Sequence, residues 1–308
     1  MRRTISVIAA FLAATLLLVL YEWSGWRIGA ASQPTFSNGL LAALQLVASA
    51  LVLHLTADRA LNELSPVVPF TYPVLATAHP AALYYTPLHA AALLLAISLY
   101  FLLDYCSSRP TIGNLIGMGL SLGASALFFP PLLWLAPCYG ILSVGRSEDK
   151  GKFCVASLLS TAFPLAVGMA VHSFLKAGDP YTFLPGLWQQ MTEILHPNLP
   201  SSAVSLCRIF LTLLLTVVAI VRLLHRTHVY RTFQIRAMYR LILLTPLIAL
   251  LALLFLSDGK QPAGLLTSLP VALLANDLLG HPDHRKGTLV LLIILLLVLI
   301  AERVSYFV

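Results

Sequence analysis

The sequence predicts an all-α fold, a single polytopic transmembrane helix bundle of ten to eleven spans. Of its 308 residues 59% are hydrophobic and only 10% charged, and the mean hydropathy is +0.88, whereas a soluble domain carries about 25% charged residues. Apolar runs long enough to cross a hydrocarbon core of about 30 Å as a helix recur along the whole chain. Lys and Arg gather in alternate connections, as they do in cytoplasmic loops. A water-soluble globular fold is excluded by the first observation alone.

The first span is placed at Thr4 to Tyr21, behind Arg2 and Arg3. That beginning, followed by the small residues Gly29, Ala30 and Ala31, also has the form of a secretory signal peptide. Tyr21, Trp23 and Trp26 then make an interfacial aromatic belt, which favours a retained helix. The second span is Gly39 to Ala57. The third, Pro66 to Leu83, contains Pro66, Pro69, Pro73 and Pro80; these remove backbone donors, so the segment must be kinked, broken or re-entrant at membrane depth. The fourth is Pro87 to Tyr105 and the fifth Thr111 to Phe128. Pro130 and Pro131 then separate it from a sixth, Phe129 to Val144. Phe153 to Leu175, Ala203 to Leu224, Leu241 to Leu256, Pro262 to Leu279 and Thr288 to Phe307 complete the series.

Eleven spans with a cytoplasmic N-terminus leave Arg2, Arg3, Arg59, Arg109, Arg146, Lys150, Lys152, Arg222, Arg226, Arg231, Arg236, Arg240, Arg285 and Lys286 inside. Arg27, Lys176, Arg208, Lys260 and Arg303 fall outside, a split of 14 to 5. Removing the third span would move the Arg146 to Lys152 turn and the arginine-rich loop after Leu224 to the outer face. The charge pattern therefore favours an odd count, with the C-terminus outside.

The whole chain, 1–308, is expected to be one membrane domain. Its longest outer connection, 177–202, carries Leu184, Leu187, Trp188, Met191 and Leu195 at helical spacing, which describes an amphipathic helix on the membrane surface. As a linker it would bury its apolar side in the interface. As a lid or rim over a cavity it would bring Asp179, Glu193 and His196 near that cavity. The cytoplasmic loop 225–240 holds Arg226, Arg231, Arg236 and Arg240 with two histidines. These arginines, with Arg27 outside, are candidates for contact with lipid phosphate, since each near-surface cation gains about 1 kcal/mol from anionic lipid. In the fifth span Gly113, Gly117, Gly119 and Gly123 form small-xxx-small pairs, expected to let a neighbouring helix approach closely.

Catalytic signals are sparse. Neither G-x-x-x-x-G-K-[ST] nor G-x-G-x-x-G occurs, so nucleotide hydrolysis is not expected. Cys106, Cys138, Cys154 and Cys207 show no CxxC or Cys/His spacing, so neither a zinc site nor a disulfide framework is indicated. No cofactor, no metal and no nucleic-acid partner are expected. His54, Asp104, His172, Asn276 and Asp277 fall near predicted span ends, which disfavours a buried carboxylate relay of the kind ion-coupled transporters use. The one outward constellation is Glu22 with Trp23, Trp26 and Arg27, and His79 and Tyr84 with His89, where an acid and two histidines could meet and a carboxylate could act as base.

The segment His79-Pro80-Ala81-Ala82-Leu83-Tyr84-Tyr85, followed by an apolar helix, resembles part of the GT-C-type membrane glycosyltransferases. That resemblance implies a polyprenyl-linked donor and casts Glu22 as base, with His79, Tyr84 or Arg27 near the donor phosphate. The acidic pair which those enzymes carry in the first outer loop is missing. A broader resemblance covers Ala76 to Phe174, with the break Leu127-Phe128-Phe129-Pro130-Pro131 and the turn holding Arg146, Lys150 and Lys152, and Ser268 to Leu279. In these stretches the chain is similar to a family of uncharacterised polytopic membrane proteins of Bacteroidota. This implies an inner-membrane home in the bacterial cell envelope and carries over no activity. The expected function is accordingly that of a non-catalytic or accessory component of envelope assembly, with membrane lipids, anionic at the inner leaflet, and envelope proteins as partners. The alternatives are the GT-C-like transferase and a transporter of an amphipathic solute built around the broken third span.

Overall fold

The computed structural model describes residues 36–61, 72–73, 75–76, 85–107, 111–144, 150–176, 183–193, 206–207 and 264–280, with single positions between 210 and 301. The described residues are helical, with short connections and no strand among them. Seven α-helices follow in order: α1 (Phe36–Leu61), α2 (Pro87–Ser107), α3 (Ile112–Phe128), α4 (Leu135–Val144), α5 (Lys150–Lys176), α6 (Phe183–Glu193) and α7 (Gly264–Gly280). A 3-10 turn, Pro130–Trp134, joins α3 to α4. Gly39–Thr56, Pro87–Tyr105 and Gly151–Phe174 are each long and apolar enough to cross a membrane, and Ile112–Phe128 and Gly264–Leu273 are shorter apolar helices. The first and ninth expected spans lie outside the described residues. Of the third, eighth and eleventh only scattered residues are described, all helical.

Local chemistry sets the helix ends. Pro87 opens α2, where its missing N–H costs nothing. Two residues on, His89 Nδ1 accepts from the Thr86 backbone N–H at 3.2 Å, the reciprocal half of a capping box with an imidazole in place of the usual carboxylate. Thr111 caps α3, its Oγ1 accepting from the Asn114 N–H at 3.4 Å. At the other end Phe129 N–H returns to Ser125 O at 3.0 Å. Pro130 and Pro131 then have no N–H for the carbonyls of Ala126 and Leu127, so the helix stops.

α3 is the centre of the bundle, with its broadest contacts to α5 on one side and α2 on the other. Contacts between Ser98 and Met118, and between Asp104 and Asn114, pair late residues of α2 with early residues of α3, so these helices are antiparallel. On the opposite face Gly119 meets Ser160, Gly123 meets Thr161, and Leu127 meets Gly168, so α3 and α5 run parallel. Parallel neighbours six residues beyond the end of α4 require the 3-10 turn and α4 to carry the chain back. The stretch expected as the sixth span, Phe129 to Val144, is thus a 3-10 turn and the ten-residue α4. α1 packs on α2, and α7 on both. The core where these helices meet includes Leu53, Leu102, Leu115, Met118, Leu122 and Leu265, all fully buried.

Candidate functional site

Two groups of polar side chains stand out among the described residues inside the bundle. On α1, Gln45, Ser49, Val52 and Thr56 follow helical spacing and share one face. Ser49 Oγ donates to Gln45 O at 2.9 Å and Thr56 Oγ1 to Val52 O at 2.7 Å, so both hydroxyls spend their protons on their own helix and keep lone pairs free to accept. Against this face lies Tyr72, from the proline-rich segment, fully buried. Its hydroxyl is directed at Ser49 but completes no hydrogen bond of good geometry, and Gln45 Oε1 is likewise buried without a partner. The segment continues to Leu75, whose carbonyl is 3.8 Å from where a Gly264 β-carbon would stand at the start of α7. Ser49, Gln45 and Tyr72 thus gather hydroxyl and amide groups on and against a helix long and apolar enough to cross a membrane. Such groups bind a neutral hydrogen-bonding molecule and hold no charge of their own.

The second group lies at the pair of α3 interfaces. Ser98 Oγ donates across to Met118 O at 3.0 Å, and Asn114 Nδ2 to Asp104 Oδ2 at 3.0 Å. On α5, facing α3, Ser160 Oγ and Thr161 Oγ1 both donate back to Ser157 O, at 3.0 and 2.9 Å. The four glycines singled out in the sequence divide by position. A β-carbon at Gly117 would lie 2.8 Å from the Phe101 ring, one at Gly119 would overlap Ser160, and one at Gly123 would overlap the Thr161 carbonyl, while Gly113 faces open space. The sequence reading missed Gly168, whose β-carbon would lie 2.5 Å from Leu127. It also missed the Asp104–Asn114 pair, although both residues flank one short connection.

α6 packs against the 3-10 turn and the end of α5, and the rings of His172 and Phe183 stand 5.5 Å apart. The apolar stripe expected in this connection is divided between two surroundings. Leu187 and Met191 are half-buried, and Leu184 and Trp188 are exposed; Leu195 lies outside the described residues.

Glu22, Arg27, His79 and Tyr84, the proposed transferase residues, lie outside the described residues, as do Arg226, Arg231, Arg236 and Arg240; His89, expected to face outward with His79, is instead buried in the first turn of α2 as its cap. Among the described residues no three His, Cys, Asp or Glu side chains gather in a way that could hold a metal ion, and Cys138, Cys154 and Cys207 are free thiols. No protein-family model matches the chain, and neither a curated protein nor a solved structure matches it. The described residues define a helical protein with three helices long and apolar enough to cross a membrane, and its function has to be argued from the molecule itself.

Proposed function

We propose that this chain is a multi-pass protein of a bacterial inner membrane, an accessory component of envelope assembly that acts by binding lipid and protein partners without catalysis. The observation that carries this reading is the outer face of α5. Val155, Leu158, Leu159, Phe163, Val167, Val171 and Phe174 are exposed along a helix of bilayer length, Phe174 by 88% and Leu159 by 65%. Water does not tolerate so long an apolar ridge, and acyl chains or another membrane helix do. Eleven spans with the N-terminus inside, the basic loop 225–240 toward anionic lipid, and the likeness to Bacteroidota membrane proteins complete the proposal. Its test is complementation of the envelope phenotype of a deletion strain. Glu22→Gln is expected to complement fully and the fourfold Arg226, Arg231, Arg236 and Arg240→Gln variant to fail at normal expression. Failure of Glu22→Gln in a folded, membrane-inserted protein would instead favour the GT-C-like transferase.

One observation favours a second reading, transport or binding of an amphipathic solute. Transporters place binding groups at discontinuous helices near the bilayer midplane, and Tyr72 in the proline-rich segment faces Ser49 beside the unpartnered Gln45 amide oxygen.

A further inference from the structure

The geometry points to α6 and Trp134 as an interfacial anchor, a two-tryptophan surface seated at the boundary between the acyl chains and head groups of a phospholipid bilayer, an assignment that rests on the membrane reading above. The level is fixed by the backbone. Pro130 and Pro131 leave the Ala126 and Leu127 carbonyls without their helical donors, and a bilayer interior offers no water to replace them. Ile112–Phe128 is 17 residues, about 26 Å of helix, so with its Thr111 cap near one face of a bilayer the end of α3 stands near the other. α5 passes that level where Gly168 meets Leu127 and continues about 12 Å further to Lys176. α6 then comes back against the 3-10 turn, at the same height as the break.

Exposed aromatic and apolar side chains gather at this height. Phe128, Trp134 and Trp188 are 45%, 44% and 63% exposed, and Leu184, one helical turn before Trp188, is 57% exposed. α6 also contacts α5, on which Val171 and Phe174 are exposed. Trp is the residue whose apolar body and polar N–H suit this boundary. α6 itself contains no Lys or Arg and ends at Glu193, and its Gln189 and Gln190 are exposed. A helix without cations has nothing with which to attract acidic head groups, so its partner is neutral phospholipid. Anionic lipid belongs at the opposite end of α5, which opens with Lys150 and the exposed Lys152.

The test uses the full chain in phosphatidylcholine proteoliposomes, with Trp23, Trp26 and one of Trp134 or Trp188 changed to Phe, so that a single tryptophan reports its depth. Both reporters are expected to lose most of their emission to lipid brominated near the head group, less to lipid brominated at the chain end, and little to aqueous iodide. Replacing part of the phosphatidylcholine with phosphatidylglycerol is expected to change none of this. Quenching of Trp188 by iodide as strong as for free tryptophanamide would overturn the proposal. So would shielding from every quencher that is relieved on dilution into lipid, which means a second copy covers the patch. Where a Phe variant fails to fold, the intact chain carrying fluorotryptophan, read by fluorine NMR with paramagnetic lipid, gives the same depth. Extraction of the protein from membranes by carbonate would defeat the membrane reading itself, whereas an anchor failure leaves the chain inserted.

Discussion

A β-carbon placed on Gly119 of α3 would overlap the Ser160 hydroxyl of α5, and that hydroxyl is in turn held by Ser157 O at 3.0 Å. The glycine thus admits a hydroxyl-bearing helix at a distance no larger residue allows. Lipid gives helices no hydrophobic reason to associate, so close approach is what holds this pair together. Gly119→Ala is expected to destabilise the protein by about 1–3 kcal/mol, the usual range for forced overpacking. Gly123→Ala should cost at least as much, because its obstacle is the backbone carbonyl of Thr161 and cannot rotate away. Gly113→Ala, in open space, should be neutral or stabilising by about 0.5–1 kcal/mol through helix propensity alone. Thermal unfolding in detergent would check the order, and Ser160→Gly should recover part of the loss in Gly119→Ala and none in Gly123→Ala.

Asp104 and Asn114 join α2 and α3 beside the connection of their hairpin through a hydrogen bond of 3.0 Å. Asn114→Leu should destabilise the hairpin by about 0.5–1.5 kcal/mol, the size of a hydrogen bond between membrane helices. Asp104→Asn keeps an acceptor oxygen and should cost less. A double-mutant cycle on unfolding free energy measures the coupling, and additive single effects would mean the pair contributes nothing.

His89 holds the first turn of α2 by accepting the Thr86 N–H at Nδ1, which places any single ring proton on Nε2. The imidazole is almost fully buried, so its loss is not made good by solvent. His89→Leu is expected to cost about 0.5–2 kcal/mol, the range for a lost helix cap, and His89→Gln appreciably less because its amide oxygen can accept the same proton. Hydrogen exchange of the Thr86 amide in detergent would report the difference directly.

The helices were legible where a run of apolar residues met a proline or a capping residue. Pro87, Thr111 and Phe128 bound their helices within a residue of the expected positions, since backbone chemistry at those points is local. The side of α6 that faces the protein was not legible, because periodicity gives a stripe and not its neighbour; only the 3-10 turn decides that Leu187 and Met191 face inward. Gly119 and Gly123 announced a close approach, but Gly117, two residues away, turns to a different helix and meets Phe101. Spacing alone cannot tell a one-sided seam from a helix wedged between two partners. The pairing of Ser49 with Tyr72 was invisible for a stronger reason. It joins α1 to a proline-rich segment whose path no pattern rule predicts.

That pairing gives a variant able to separate the two functional readings. Tyr72 is fully buried and its hydroxyl completes no good hydrogen bond, so removing that oxygen takes away a desolvated polar group and opens almost no cavity. Tyr72→Phe is therefore expected to leave stability unchanged or raise it by up to about 1 kcal/mol. Gln45→Leu, which removes the other buried oxygen, should behave alike. If the chain serves only as an accessory binding partner, both variants complement a deletion strain fully. If Gln45, Ser49 and Tyr72 receive a neutral solute, both variants fold and insert normally and lose function together, since the same apolar substitution that relieves an empty site deprives a ligand of its hydrogen bonds. A drop in stability for Tyr72→Phe would refute the premise common to both arms, showing that the hydroxyl already has a partner within the protein.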